Sequence, residues 1–319
     1  MTSAISAVHL GKAYPTAKPG VFALRDLSLE IPPGRVYGLI GRNGAGKTTF
    51  IRIAATQLAA TEGTVSVLGY DIRTDERAIR ARIACIPQES RPLYFLNVEE
   101  VVYLYLKLRG LDPKDARRRT RDALEELSLT PYRRSLVSRL SGGLRRRTLC
   151  AMVLASDADV LFLDEPTTGL DPIARREVWQ AIRRASRENR TIVLTTHYLD
   201  EAEALSSRLA LIESGELKLE GTPADLRARV RYPYRVTIEG SFPREELDSY
   251  GKVSEIEGGF LLFTREREAR EVARSALERG LRVSMGPVSL EDIFLDVVGK
   301  SIEEDSATEK DEDTPKVGA

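Results

Sequence analysis

Along the first sixty-odd residues, apolar positions come in short runs separated by turn residues, the pattern of strands in a sheet. The runs are Ile5 to Leu10, Leu27 to Ile31 and, after Pro32-Pro33-Gly34, Val36 to Ile40. The spacing then predicts a helix over Thr48 to Ala60 and, past the Glu62-Gly63 turn, a strand over Thr64 to Leu68. From Asn97 to Ala155 the period lengthens: Val98, Val101, Val102, Tyr105 and Leu108 recur at helical spacing, Leu124 and Leu127 repeat it, and a helical insert interrupts the sheet. Continuous apolar runs return at Val160-Leu161-Phe162-Leu163 and Ile192-Val193-Leu194, as expected of parallel strands covered on both faces. Between them Asp171-Pro172 reads as the N-cap and first residue of a helix reaching about Glu188.

After Pro223 the pattern changes again. Tyr234 to Glu239, Pro243 to Tyr250, Val253 to Glu257, Phe260 to Thr264, Glu266 to Arg279 and Leu281 to Ser284 parse as βαββαβ, the order of a ferredoxin-like domain. A closing amphipathic helix is expected over 288–298, on Val288, Ile293, Phe294 and Val297. Residues 301–319 have the composition of a disordered tail.

Composition adds limits more than content. The chain has 319 residues, enough for one large α/β domain and a smaller one, and equal numbers of basic and acidic residues, 48 each. The last nineteen residues hold seven acids against Lys310 and Lys316, which leaves +5 spread over the remainder, too dilute for a nucleic-acid surface. Cys85 and Cys150 have no metal-ligand spacing and read as buried free thiols. No apolar stretch approaches a membrane span and the N-terminus lacks a signal-peptide pattern, so a cytoplasmic chain is expected, with any spanning helices supplied by another chain.

The chemistry begins at Gly41-Arg42-Asn43-Gly44-Ala45-Gly46-Lys47-Thr48, which satisfies GxxxxGK[ST] between an apolar strand and a helix. Glycines let backbone N–H groups wrap phosphate oxygens, and the helix N-terminus adds a favourable dipole. Lys47 reaches the β- and γ-phosphates of ATP and Thr48 places its hydroxyl on Mg²⁺; Thr49 continues the cradle. Leu161-Phe162-Leu163-Asp164-Glu165 ends an apolar strand in two carboxylates, Asp164 to hold Mg²⁺ through water and Glu165 to polarise the attacking water. His197 ends the next strand after Thr195-Thr196 and could reach the γ-phosphate or that water, whereas His9 reads as a surface or packing residue. Ser141-Gly142-Gly143 after Leu140 makes a second phosphate cradle at a helix start.

With that Ser-Gly-Gly turn about a hundred residues after the phosphate loop and about twenty before Asp164, the chain resembles the ATP-binding subunits of ABC transporters. The resemblance implies an α/β P-loop NTPase cassette, with a RecA-like core, an antiparallel β subdomain and a helical insert, over residues 1–230 (helical subdomain about 89–156). A small α+β ferredoxin-like domain over 231–300 and an acidic tail over 301–319 follow. It implies adenine stacking on Tyr14, Mg²⁺ and membrane-partner sensing by Gln88, and a crossing loop at Gly169-Leu170-Asp171. It also implies catalysis by Glu165, His197 and Lys47 in a head-to-tail dimer with a second cassette, homodimeric or heterodimeric, at the cytoplasmic face of a membrane beside a membrane-spanning permease.

Where the commonest signature has glutamine after the two glycines, Leu144 stands here, followed by Arg145-Arg146-Arg147. This resembles the branch of drug, lipid and polysaccharide exporters; the arginines themselves read as a solvated helix face. The segment Arg91-Pro92-Leu93-Tyr94-Phe95-Leu96 lies where the family receives its membrane subunit, or else packs its aromatics inside the insert. Chromosome-maintenance ATPases carry a long coiled coil or zinc modules in the interval before the signature, and ribosome-associated factors carry two cassettes; neither pattern is present, so no nucleic-acid partner is expected and action on ribosomes or nucleic acid is the alternative. Intact Lys47, Asp164, Glu165 and His197 argue against a non-hydrolysing regulator.

Overall fold

The computed structural model describes residues 3–15, 21–86 and 95–298. The chain divides into two compact units between Glu220 and Gly221. Gln88, the Arg91 to Tyr94 part of the aromatic loop and the acidic tail lie outside the described residues.

In the first unit β1 (Ile5–Ala13) pairs antiparallel with β2 (Phe22–Ile31) and, on its other edge, with β4 (Glu62–Val67), which pairs with the two-residue β5 (Tyr70–Asp71). The second sheet contains β3 (Val36–Ile40), β6 (Ile83–Ile86), β7 (Val160–Asp164), β8 (Thr191–Thr196), β9 (Arg208–Glu213) and β10 (Glu216–Gly221), in the spatial order β10-β9-β3-β8-β7-β6. Its pairs β3·β8, β3·β9, β6·β7 and β7·β8 are parallel. Helices fill the connections: α1 (Lys47–Ala54), α2 (Glu76–Arg82), α3 (Val98–Leu108), α4 (Pro113–Glu126), α5 (Gly142–Leu154), α6 (Pro172–Arg187) and α7 (Leu199–Leu205).

The continuous apolar runs have the cause inferred from them. Leu161, Leu163, Ile192 and Leu194 pack with α3, α5 and α6, while Val160, Phe162 and Val193 pack on the opposite face with Phe50, Ile51 and the antiparallel sheet. Alternate residues of one strand thus enter two different cores. Asp171 caps α6 with its carboxylate, followed by Pro172 at the first helical position.

The structure adds two elements of local detail that the sequence reading lacked and decides one alternative left open there. The helix expected over Thr48 to Ala60 stops at Ala54, because Thr56 adopts a left-handed backbone (φ +58°) that ends the helical run. Phe95 does not pack inside the helical insert: it is 73% exposed, and Leu96 packs there instead. The strands β9 and β10 had no assignment; they are joined by Ser214-Gly215, both at positive φ, a two-residue turn suited to the twist of paired strands.

The second unit opens with α8 (Pro223–Arg229) and continues as β11 (Tyr234–Glu239), α9 (Arg244–Asp248), β12 (Lys252–Ile256), β13 (Gly259–Thr264), α10 (Glu266–Glu278), β14 (Arg282–Pro287) and α11 (Leu290–Val298). Its sheet has the order β12-β13-β11-β14 with antiparallel pairs throughout. Val236, Ile238 and Leu262 form its core with Leu247 of α9 and Ala269, Val272 and Ala276 of α10.

Candidate functional site

Three adjacent parallel strands deliver the predicted residues to one edge of the sheet. Ile40 of β3 pairs with Thr196 of β8, and Asp164 of β7 pairs with Thr195, so the phosphate-loop motif, the Asp164-Glu165 pair and His197 leave the sheet side by side. Ligands of such sheets bind at the carboxyl ends of the strands.

The loop from Gly41 turns through an Ala45 N–H donating to the Arg42 carbonyl (3.1 Å) and enters α1. Gly46 has φ +109°, and a Cβ there would lie 2.5 Å from the Ala23 carbonyl oxygen, so no side chain fits. With Gly46 as N-cap, α1 has no side-chain cap, which leaves its first N–H groups to an external acceptor such as phosphate. Asn43 and Gly44 form the exposed tip and Arg42 is half-buried. Lys47 is buried, its ammonium donating to the carbonyls of Gly41 (2.7 Å) and Arg42 (3.0 Å). Burial pushes the Lys47 pKa down, while Glu165 and Asp164 favour its charge.

Asp164 is buried, and its Oδ1 accepts a hydrogen bond from the Thr195 hydroxyl. Burial raises its carboxyl above the usual range, against the Thr195 and Thr48 hydroxyls, which favour the charged form. Oδ2 is buried with no hydrogen-bond partner among the described residues. An orphaned buried acceptor costs about 1–3 kcal/mol. A carboxylate with such an oxygen, whose charged form the Thr48 hydroxyl favours, fits a hard divalent cation such as Mg²⁺, which takes one or two protein oxygens and completes its shell from phosphate and water. No cluster of three or more His, Cys, Asp or Glu suited to a metal occurs among the described residues.

Glu165 sits in the left-handed region at φ +48°. For a residue with a side chain that costs on the order of 1–3 kcal/mol and persists only where surroundings over-determine it. Here its N–H donates to the Thr195 carbonyl (3.1 Å) and hydroxyl oxygen (3.0 Å). The Thr168 hydroxyl donates to Oε2 (3.2 Å), and Nδ1 of His197 lies 3.4 Å from Oε1. Burial would raise the Glu165 carboxyl, but His197, Lys47 and Thr168 outweigh it and hold the group below its ordinary value. It is therefore ionised at neutral pH, as a proton acceptor must be.

Tyr14 lies half-buried at the phosphate loop, its hydroxyl 3.3 Å from the Thr49 hydroxyl, with the Lys12 ammonium 5.6 Å from its ring centroid. Ser141 caps α5, accepting from the Leu144 N–H (3.3 Å), and Gly142 is exposed. A Cβ on Gly143 would lie 3.3 Å from Leu170. Asp171 accepts from the N–H groups of Ile173 and Ala174 (3.0 Å each), and these bonds hold its carboxyl low. No hydrogen bond or ion pair joins Ser141, Gly142, Gly143 or Asp171 to Lys47, Thr48 or Asp164 among the described residues. A cavity of about 330 Å³ lined by Gly142, Arg146, Glu165, Thr168 and Gly169 separates the second cradle from the carboxylate turn.

The reading of Arg145-Arg146-Arg147 as a solvated face is corrected. All three are half-buried: Arg145 donates to the Ser138 carbonyl (2.9 Å) and Arg147 pairs with Glu177 (2.9 Å). Arg146 donates to the carbonyls of Asp164 and Glu165 and, at 3.4 Å, to that of Pro166. Thr168 and Thr195 were likewise missed as partners of the carboxylates; the signal in hand was a polar pair, Thr195-Thr196, inside an otherwise apolar strand. His9 is exposed and bonded to Asp26.

A buried carboxyl behind the turn offers a stability test. Oε1 of Glu201 accepts from the Thr167 hydroxyl and the Trp179 indole (2.8 Å each), and burial raises its pKa. A carboxyl whose pKa is raised by folding loses stability as pH rises from the unfolded value, about 4.5, through the folded one. Glu201→Gln is expected to flatten that slope, so that its melting temperature gains on that of the unsubstituted protein as pH is raised from about 5 to about 8. Thermal melts across that range check it.

Comparison with known proteins gives a consistent result. Residues 24–168 match the family model described as ABC transporter. The chain is 37% identical over 282 residues, 87% of this chain and 92% of that protein, to the Nod factor export ATP-binding protein I of Paraburkholderia xenovorans. It is 38% identical over 229 residues to the human ATP-binding cassette sub-family A member 2, covering 72% of this chain and 9% of that protein. Among solved structures, an ATP-binding subunit of an ABC transporter superposes with a TM-score of 0.65 at 26% identity, over 72% of this chain and 93% of that one. The fold is also that of the dimeric, ADP- and phosphate-bound ATP-binding cassette MJ0796, with a TM-score of 0.64 at 24% identity, over 68% of this chain and 98% of that one.

Proposed function

Because the chain belongs to the ABC transporter ATP-binding family and is an ATP hydrolase of that family, we propose that it is the motor subunit of an exporter of drugs, lipids or other amphipathic compounds. The observation that carries the export reading is its likeness, over nearly its full length, to a Nod factor export ATP-binding protein. No helix among the described residues is long and apolar enough to cross a membrane, so on this reading a separate permease supplies the path and the chain works at the cytoplasmic face.

On this reading the backbone of Gly41 to Thr48 and the Lys47 ammonium hold the phosphates, and the Tyr14 ring meets adenine. Asp164 and Thr48, with Gln88 by sequence, would hold Mg²⁺, which when bound neutralises developing phosphate charge. The ionised Glu165 carboxylate orients and accepts a proton from the attacking water, and His197, 3.4 Å away, fixes that carboxylate and faces the γ-phosphate. Ser141, Gly143 and Asp171 serve the nucleotide of a second cassette, a reading supported by the dimeric cassette of the same fold. By sequence we assign residues 1–230 to the cassette, of which α8 falls in the second compact unit, and read 231–300 as a ferredoxin-like domain, supported by the order of its strands and helices.

The test is selective stimulation. Combined in lipid vesicles with the protein encoded beside it, expected to have about six spans of roughly twenty residues each, the purified chain should hydrolyse ATP several-fold faster than alone. Stimulation by ribosomes or DNA, and none by that protein, would support the alternative and overturn transport.

A further inference from the structure

We infer that Arg146 is a positioning residue for hydrolysis, clamping the backbone of the Asp164-Glu165-Pro166 turn from α5 and so linking the Ser141-Gly142-Gly143 end of that helix to the carboxylate that handles water. The inference rests on the assignment of Glu165 to that role.

Three consecutive carbonyl oxygens, those of Asp164, Glu165 and Pro166, accept hydrogen bonds from the one Arg146 guanidinium. Consecutive carbonyls gathered on one point repel one another unless a cation stands there, and a planar group with five N–H donors can serve several at once. The weak Cys150 thiol donor adds a contact to the Pro166 oxygen at 3.7 Å. Glu165 is the residue of this turn with the disfavoured left-handed backbone. Its N–H side is fixed by Thr195 of β8 and its carbonyl side by Arg146 of α5. Remove either clamp and the peptide can relax toward an ordinary conformation, carrying the carboxylate away from His197 and Thr168.

Arg146 stands at the fifth position of α5, one turn beyond the Ser141 cap, and shares a cavity with Gly142 and Glu165. Any shift of the α5 N-terminus on meeting a nucleotide therefore reaches the Glu165 peptide through a single side chain. Arg146 touches neither nucleotide nor water on this reading; it acts through Glu165.

Two substitutions test it. Arg146→Lys keeps the charge but not the fork, and Arg146→Gln removes the charge. Both should lower kcat for ATP at least tenfold, since small displacements of a catalytic group cost up to about 10²-fold, while KM and binding of a fluorescent ATP analogue stay within about threefold. In a Glu165→Gln background, Arg146→Gln should cause no further loss of the single-turnover rate. A kcat within twofold of the unsubstituted protein in both variants, a rise in KM with kcat retained, or multiplicative losses in the double variant would overturn the inference. An inactive Glu165→Gln beside an active Arg146→Gln removes this inference alone. Substantial turnover by Glu165→Gln removes the reading beneath it, and the inference with it.

Discussion

Glu165→Gln is expected to lower ATP turnover by at least about 10²-fold, the scale of a lost proton acceptor, while ATP affinity stays within about twofold. The separation follows from what each atom does. Glutamine keeps the shape and an amide oxygen for the Thr168 hydroxyl, and the backbone bonds to Thr195 and Arg146 do not involve the side chain. Lost is the negative charge that His197 and Lys47 hold ionised despite burial. Losing it also relieves repulsion toward a γ-phosphate, so the nucleotide-bound form should accumulate, as a dimer if two cassettes share the ligand. Phosphate release, equilibrium binding of a fluorescent analogue and gel filtration with ATP measure the three quantities. Residual turnover near that of the unsubstituted protein would refute the role.

Lys47→Ala is expected to act on the other quantity, weakening ATP binding by roughly tenfold to 10²-fold, as befits loss of a charge-assisted bond of about 1.5–3 kcal/mol. The ammonium is buried and already donates to Gly41 and Arg42, so it is held over the loop before any ligand arrives. Its removal has a second effect. Asp164 and Glu165 lose a neighbouring positive charge in a buried setting, and Asp164 is already raised by burial, so both carboxyls move toward protonation. Turnover at saturating ATP should therefore fall as well, with the deficit growing as pH is lowered. Titration with a fluorescent ATP analogue reads the affinity; unchanged affinity would contradict the placement of Lys47 on phosphate.

The strands that carry the site were legible because burial on both faces leaves a mark: Val36 to Ile40 and the run ending at Leu163 are apolar without alternation, and the chemistry follows each directly. The cap of α6 was legible for an equally local reason, since Asp171-Pro172 is a bond pattern within four residues. The Arg146 clamp was hidden because its partners are main-chain carbonyls, which every residue has, and an arginine run on a helix gives the same letters whether it faces solvent or a turn. The left-handed Glu165 was hidden too, since the residue type argues against it and only the packed surroundings enforce it. Length misled at α1, where a favourable composition continues past the left-handed Thr56 that ends the helix.

The pairing of Asp164 with Thr195 and of Ile40 with Thr196 makes the sheet a ruler for the chemistry. Rise along a strand is quantised at about 3.3 Å, so the spacing between the phosphate-binding loop, the carboxylates and the histidine is set in whole steps and read out at the strand ends. Side-chain substitutions can blur that reading by fractions of a step. Deleting one residue from β8 would shift it by a full graduation and exchange the faces of every residue beyond the gap. Tolerance to insertion and deletion in this motor should accordingly be lowest in the plain apolar strands that touch no ligand at all.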